Sequence, residues 1–599
     1  MLPLERALQV AVAAAREAGD LLRADLHRAE GPRGHGDKAP ADVEAEWIIR
    51  RRLTEAFPEW SYLGEETGQQ AGSPGAPVWL VDPNDGTRDY LSGRRGSAVS
   101  VGLVSAGRPV LGVVHPFAYP DDAGELFEWA EGCGPLSRNG RGLEVRLPQA
   151  MGALDVVLVS GGGERAPAAN LRCARPARMR ALPSIAHRLA LVAAGEAAAA
   201  TSVFAPGAWD YAAGQALLRA CGGVLINEAG AEVGYDEAGR SRTVKAFAGS
   251  PEVVRELLSR PWERFPPEHP REARTRLARG GAVADAGRLS RAQGCLLGQI
   301  AGDSLGSLVE FESASSIAAR YDDGPRRLED GGTWGTLAGQ PTDDSEMALA
   351  LARAIVAHGR YDAAAVNAAY HEWRASGPFD IGDTTRAALD GTPRTESQAN
   401  GSLMRISPLA VFSHRMAPER AAELARRDSA LTHPHAVCGD AVAAFVVAVS
   451  HAIVHGREPE SAYRAALEWA GRSSCQSVVL ERLHAAARDA PVCDGAKQGF
   501  VLIALQNAFH ELLHAASLEE GVVRTVRRGG DTDTNAAIAG ALLGAVHGRA
   551  AVPDQWRAMV LSCRPHASRA KQPRPIAYWP TDLYELSERL LLAGEGFAN

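Results

Sequence analysis

VWLVDPNDGTRDYL, residues Val78 to Leu91, reads as a short apolar strand that ends on two carboxylates, Asp82 and Asp85, and turns at Gly86 and Thr87 into a helix start. Two carboxylates at a strand end suit a hard cation such as Mg2+, which takes oxygen ligands and binds phosphate oxygens beside them. Gly86 lets backbone N–H groups approach an anion, and a helix N-terminus adds favourable partial charge. Asp-Pro and Asp-Gly are also turn formers, so this stretch alone is as well explained by a plain turn.

Outward from it, β-rich runs such as AVSVGLV, PVLGVVH and LDVVLVS alternate with helical segments. From Ser259 to about Arg288 the chain turns rich in Pro and charge and loses apolar periodicity. Beyond it almost everything reads as helix, including EMALALARAIVAHG and NAAIAGALLGAVHG. The expectation is an α/β layered unit over residues 1–260, a linker over 261–288 and an all-α unit over 289–599. A length of 599 residues supports two or three domains at roughly 100 to 200 residues each.

Composition narrows the function classes. With 64 Lys+Arg against 72 Asp+Glu the net charge is -8, which leaves no large basic field for a phosphate backbone. The 8 Cys are scattered singly and read as reduced thiols. Glu5, Arg6 and Arg16 interrupt the N-terminal apolar positions, so that segment reads as an amphipathic helix rather than a signal peptide. Ala441 to Val454, broken by Ser450 and His451, falls short of the roughly 20 residues a bilayer needs and reads as a buried helix. These features predict a cytoplasmic protein with no nucleic-acid or membrane partner, and leave a homo-oligomer open.

In the second half, PTDDSEMALALARAIV opens a helix with Thr342, Asp343, Asp344 and Ser345, and RGGDTDTNAAIAGALLGAVHG does the same with Asp531, Asp533 and Thr534. Helix capping explains one such residue per segment, and Asp343 with Glu346 has the spacing of a capping box. Several carboxylates at two helix starts are costly without counter-charge, and a shared dinuclear Mg2+ or Mn2+ centre explains both segments.

GEETG at Gly64 to Gly68, WDYAAG at Trp209 to Gly214, Asp42 four residues before Glu46, ELF at Glu125, RNG ending at Gly140 and the pair Gly222 and Gly223 occur in order around the first motif. Together they resemble the inositol monophosphatase family of metal-dependent phosphatases, over roughly residues 1 to 260. The resemblance implies Glu65, Asp82, Asp85 and Asp210 as ligands of two or three Mg2+ ions, with the residue 84 carbonyl and, more weakly, Glu66 beside them. It implies that Thr87 orients the attacking water, that Asp42 takes its proton, and that a small phosphate ester is the substrate. Arg88, Arg94 and Arg95 in RDYLSGRRGS offer a local cationic group suited to a second phosphate, with Gly86, Arg94 and Arg95 as expected substrate contacts, although arginines after a turn are more often simply solvated. Asn84, Ala39 and Ala220 depart from the family pattern, which has an aliphatic residue, a Thr and a Glu there. The last change argues against assuming myo-inositol phosphate.

Residues 289 to 590 carry GCLLGQIAGDSLGSLVEF, TDDS, PFDIGDTTRAAL, NGSLMRISPL, LTHPHAVCGDA and GGDTDT in order. They resemble the ADP-ribosylglycohydrolase family, all-α enzymes with two metals, and within it the bacterial branch acting on ADP-ribosylated arginine. The resemblance implies Thr342, Asp343, Asp344, Asp531, Asp533 and Thr534 as metal ligands and Glu310 as a mobile acidic residue over the site. It also implies Asp380 as a catalytic aspartate, and Asn400, Gly401, Ser402 and His433 as substrate contacts. Glycines in AGDSLGS and ANGS are expected to admit the pyrophosphate. The combined expectation is a bifunctional metal-dependent hydrolase acting on a phosphomonoester of inositol phosphate or 3'(2'),5'-bisphosphate nucleotide type, and on ADP-ribosyl adducts or ADP-ribosylated protein. The alternative keeps only the second half catalytic, with the first as a ligand sensor or structural module.

Overall fold

Apolar alternation in Ala98–Ser105 and Arg108–His115 makes them the centre of an eight-stranded sheet. In the computed structural model, residues 2–268, 281–456 and 458–597 are described, so residues 269–280 of the expected linker lie outside the described residues. Two compact units change over in sequence between Ala284 and Asp285.

In the first unit, Val99, Val101 and Leu103 point to one sheet face and pack on the small and aliphatic residues of helices Leu4–Leu26 and Pro40–Ala56. The alternate positions face the other way: a Cβ on Gly102 or Gly112 would run into helix Ala208–Ala220, and Ser100 donates to the Trp209 carbonyl. The sheet is therefore held between helices on both faces, with the WDYAAG helix pressed close because two strand glycines permit it. Val78–Asp85 pairs parallel with Ser61–Gly64 and antiparallel with Ala98–Ser105, and its register shifts between Asp82 and Asp85. In a regular strand two residues three apart face opposite sides; the irregularity at Pro83 and Asn84 re-aims them toward one end of the strand. A second sheet has five strands in the order Arg178–Leu182, Val156–Ser160, Ala199–Ser202, Ala246–Gly249, Val224–Asn227.

The second unit is helical. Helix Ala436–His455 is long and apolar enough to cross a bilayer, yet nearly all of its apolar window is buried inside the unit. The central contact is between helices Ala286–Gly306 and Thr532–His547, which run antiparallel with their backbones touching. A Cβ on Gly298 would lie 2.1 Å from the Gly540 carbonyl oxygen, one on Gly302 2.1 Å from that of Ala536, and one on Gly294 2.5 Å from that of Gly544. Glycines four apart share one helix face, so this stripe sets the helix spacing. Gly302 and Gly306 in AGDSLG are occupied in this contact, which corrects the expectation that these glycines admit a pyrophosphate. The same ladder brings the end of the first helix to the start of the second, where a Cβ on Gly306 would sit 2.4 Å from Asp533 Cα.

Gly298→Ala should lower the stability of this unit by about 1–3 kcal/mol or more, the cost of overpacking a close contact. Gly471→Ala, at an exposed position of helix Pro459–Arg472 with nothing near its Cβ, should be neutral or stabilise by up to about 1 kcal/mol. Chemical denaturation of the two variants checks the contrast, and equal behaviour would refute the role of the ladder.

Candidate metal centres

In the first unit the end of strand Val78–Asp85, the GEETG turn and the first turn of helix Ala208–Ala220 converge. Carboxylate oxygens of Glu65, Asp82 and Asp210 all lie within 4.8 Å of one another. The Gly207 N–H donates to Asp210 (2.9 Å) and the Asn84 N–H to Asp82 (2.8 Å), fixing both side chains from the backbone. Asp85 stands beside them. One of its oxygens accepts from the Ser184 hydroxyl (2.5 Å) and the Ala186 N–H (2.7 Å), at the start of helix Ile185–Ala193.

Loss of hydration and the neighbouring carboxylates push Glu65 up to about 7 and Asp82 and Asp210 well above the usual carboxylate range. Asp85 is raised by burial, against the pull of its hydrogen bonds and of the buried Arg188 guanidinium. Gly86 takes a φ of 107°, a left-handed conformation that only glycine adopts cheaply, and so lets the chain leave the strand. Thr87 donates from its hydroxyl to Asp42 (2.8 Å), and the Asn84 amide donates to the other Asp42 oxygen (2.9 Å). The polar side chain at 84 thus finds its partner in Asp42, which burial raises to about 7.

Glu46, one turn after Asp42 on helix Pro40–Ala56, faces inward. It is fully buried and accepts from the Glu66 and Thr67 N–H groups and the Thr67 hydroxyl, clamping the GEETG turn. The arginines are engaged elsewhere: Arg88 with Asp37, Arg94 with Asp89 (3.0 Å), and buried Arg95 with Asp122 (2.5 Å) and the Ala118 carbonyl. Ion pairs and burial therefore remove Arg94 and Arg95 as a free cationic pair for a second phosphate.

In the second unit two sets of carboxylates lie together, Asp303 with Asp344 and Asp533, and Glu310 with Asp380 and Asp533, so Asp533 belongs to both. Asp303 was not among the residues singled out from the sequence. It sits inside an apolar helix, and its only signal is a lone carboxylate within GCLLGQIAGDSLG. It accepts from the Thr342 N–H and hydroxyl (3.2 and 3.0 Å) and the Ser345 N–H (3.1 Å), and the Thr342 hydroxyl also lies 3.0 Å from Asp344.

The first helix start is not a capping box. Thr342 is the N-cap residue, and Glu346 instead meets Arg574 in a buried bidentate pair (2.7 and 2.8 Å) and accepts from Trp373. Asp343 accepts from the Gly382 N–H (3.2 Å), the Thr534 N–H donates to Asp533 (2.9 Å), and the Asn400 amide donates to Asp531 (2.7 Å). The Trp334 indole N–H holds Glu310 (2.6 Å). Gly401 lies against His433 and Thr385, while Ser402 is 2.9 Å from the Ser429 hydroxyl, in the core. Burial and mutual repulsion raise Asp303 to about 7, Glu310 to about 8, Asp343 to about 6 and Asp380 to about 10, with Asp344 and Asp533 well above the normal range.

Both donor sets fit a hard divalent cation. They are all oxygen, no Lys or Arg ion-pairs with them among the described residues, and Asp344 Oδ1 is buried with no hydrogen-bond partner.

Comparison with known proteins divides the chain at the same place. A sequence model of the inositol monophosphatase family matches residues 4–256, and one of ADP-ribosylglycohydrolase matches residues 284–595. The ADP-ribosyl-[dinitrogen reductase] glycohydrolase of Rhodospirillum rubrum is 33% identical over 280 residues, covering 44% of this chain and 88% of its own length. Nus factor SuhB of Xylella fastidiosa is 31% identical over 266 residues, with 42% and 92% covered, and inositol monophosphatase 1 of Solanum lycopersicum 30% over 246 residues, with 38% and 87% covered.

Carboxylates whose folded pKa lies above the unfolded value of about 4 favour the folded state only while protonated. That contribution is complete below about pH 4 and is lost as pH rises through the folded values of about 6 to 8. Without divalent ions, stability should therefore fall between pH 5 and pH 8. Mg2+ or Mn2+ should restore stability, by about 2.7 kcal/mol per site at a hundredfold excess over Kd, and more at pH 8 than at pH 5.5. Thermal melts at the two pH values test this, and a Tm indifferent to both ions would rule out the centres.

Proposed function

Because the chain belongs to the inositol monophosphatase family over residues 4–256 and to the ADP-ribosylglycohydrolase family over residues 284–595, we propose that it is a bifunctional hydrolase whose units each use divalent cations, Mg2+ or Mn2+. The observation that carries this reading is the convergence, in each unit, of three carboxylates from separate elements with no side-chain cation among them.

In the first unit Glu65, Asp82, Asp85 and Asp210 would hold two or three ions, and the Asn84 carbonyl one of them. The ions supply charge neutralisation for a phosphomonoester and acidify water. The chain's own part is proton handling: Thr87, donating to Asp42, leaves its lone pairs to orient the attacking water, and Asp42 receives the proton. With Arg94 and Arg95 paired internally, a small phosphomonoester is better supported than a bisphosphate.

In the second unit Asp303, Thr342, Asp343, Asp344, Asp531, Asp533 and Thr534 would hold two ions, shared through Asp533. Glu310 and Asp380 face Asp533 and can stabilise the cation-like anomeric carbon that forms as a ribosyl bond breaks. The Rhodospirillum rubrum relative is named for an ADP-ribosylated protein, and PFDIG supports the ADP-ribosylarginine class here.

A second reading, with the first unit a ligand sensor, is favoured by one observation: both Asp42 oxygens are engaged, one of them by an Asn84 amide that departs from the family pattern.

Substitution in the full chain separates the two. Asp82→Asn should abolish phosphate release by more than about 100-fold, and Asp344→Asn should do the same to removal of ADP-ribose from arginine, since even outer partners of a metal site are worth 10 to 100-fold. Each variant should keep the other activity within about twofold. Wild-type chain that cleaves ADP-ribosylarginine but releases no phosphate from inositol phosphates or nucleotide bisphosphates would establish the sensor reading.

A further inference from the structure

Thr432 and His433 sit between helices Pro418–Ala430 and Ala436–His455, in a polar network that no metal contact explains. Asp428, Arg405, Thr432 and His433 are all buried to within about 1% of exposure. Arg405 donates through Nε to Asp428 (3.2 Å), through one terminal nitrogen to the Asp428 carbonyl (3.1 Å), and through the other to the Thr432 hydroxyl oxygen (2.7 Å). Its guanidinium lies 4.4 Å from the Tyr370 ring centroid, and the Tyr370 hydroxyl donates to Asp428 (3.0 Å). The Thr432 hydroxyl is 2.8 Å from His433 Nδ1. His433 Nε2 is buried with no hydrogen-bond partner among the described residues.

Donor counting fixes the protons. A guanidinium has only donors, so the Thr432 oxygen must accept from Arg405. Its single hydrogen then has one acceptor in reach among the described residues, His433 Nδ1. A ring nitrogen that accepts carries no proton, and a neutral imidazole then carries it on the other nitrogen. Burial, with Arg405 nearby, keeps the ring neutral by lowering it to about 3.

Nε2 faces the ANGS loop. A Cβ on Gly401 would lie 3.0 Å from it, and the neighbouring Asn400 amide reaches Asp531. The donor is therefore aimed at the packed ANGS loop, one residue from the Asn400 amide that reaches Asp531 at the edge of the acidic cluster.

We propose that Thr432, braced by Arg405 and Asp428, is a positioning residue that locks His433 in the Nε2–H tautomer, so that the ring presents an uncharged N–H donor to a phosphate or ribose oxygen of an ADP-ribosyl group. The ligand rests on the proposed function of this unit; the tautomer does not. In the opposite tautomer the Nε2 lone pair would face the ligand's own lone pairs, and a hydrogen bond to a charged acceptor would be lost.

The test uses the full chain labelled with 15N-histidine, with His433→Gln identifying the resonances of residue 433. An Nδ1 shift of the unprotonated type and an Nε2 shift of the protonated type are expected, and the reverse pattern overturns the proposal without any variant. With Mg2+ present, Thr432→Val should weaken ADP-ribose binding by about 10 to 100-fold. Thr432→Ser, which restores the hydroxyl, should return it to within about threefold of wild type. A folded Thr432→Val chain that binds ADP-ribose as the wild type does also overturns it. An Nε2–H ring in a wild-type chain that binds no ADP-ribose would instead overturn the ligand assignment, and with it the proposed function of this unit.

Discussion

Carboxylates buried within a few ångströms of one another repel, and everything else in each unit is arranged to hold them there. Burial keeps water from screening Asp344 against Asp303 and Asp533, buried Asp82 faces a partly buried Asp210, and no lysine or arginine among the described residues ion-pairs with them. The protein answers with fixed dipoles. Gly207, Ala186, Gly382, Ser345 and Thr534 point backbone N–H groups at Asp210, Asp85, Asp343, Asp303 and Asp533, all five from the N-cap or first turn of a helix. Such donors hold the side chains in place without neutralising them, so the charge remains available to a cation.

The two units reach this arrangement by unrelated routes. In the first, an irregular strand end aims Asp82 and Asp85 together, and strand glycines let the Asp210 helix sit close to the sheet. In the second, a ladder of glycines sets two antiparallel helices in backbone contact and thereby fixes how far Asp303 lies from Asp533. Rigidity matters in both cases, since a scaffold that yielded would let the carboxylates drift apart and relax their repulsion. The buried Glu346–Arg574 pair serves the same end, because Arg574 also holds the carbonyls of Ser376 and Gly377, just before the loop that carries Asp380.

Much of this was legible in the chain. Asp82 and Asp85, Asp343 and Asp344, and Asp531 and Asp533 are neighbours in sequence at element ends, and acidic residues crowded at an element end announce themselves without a fold. Asp303 does not, because inside a helix of apolar and small residues its significance depends on what the adjoining helix brings against it. The arginines after the first motif illustrate the opposite error. Arg94 and Arg95 look like a cationic patch in a linear string, but Asp89 and Asp122 are their partners, and Asp122 lies far along the chain. Glycines mislead for the same reason: those in AGDSLG resemble a phosphate loop, and the folded chain spends them on helix contact.

The sequence by itself determined the two fold classes, the order of the units and the chemical type of each site, since hydrophobic period and clustered oxygen donors are local properties. Tertiary structure alone decided which carboxylates meet, which arginines are already neutralised, and which nitrogen of His433 bears a proton. Those depend on side-chain geometry and, for most of the contacts, on residues tens to hundreds of positions apart, because electrostatic and hydrogen-bond energies act through space rather than along the chain.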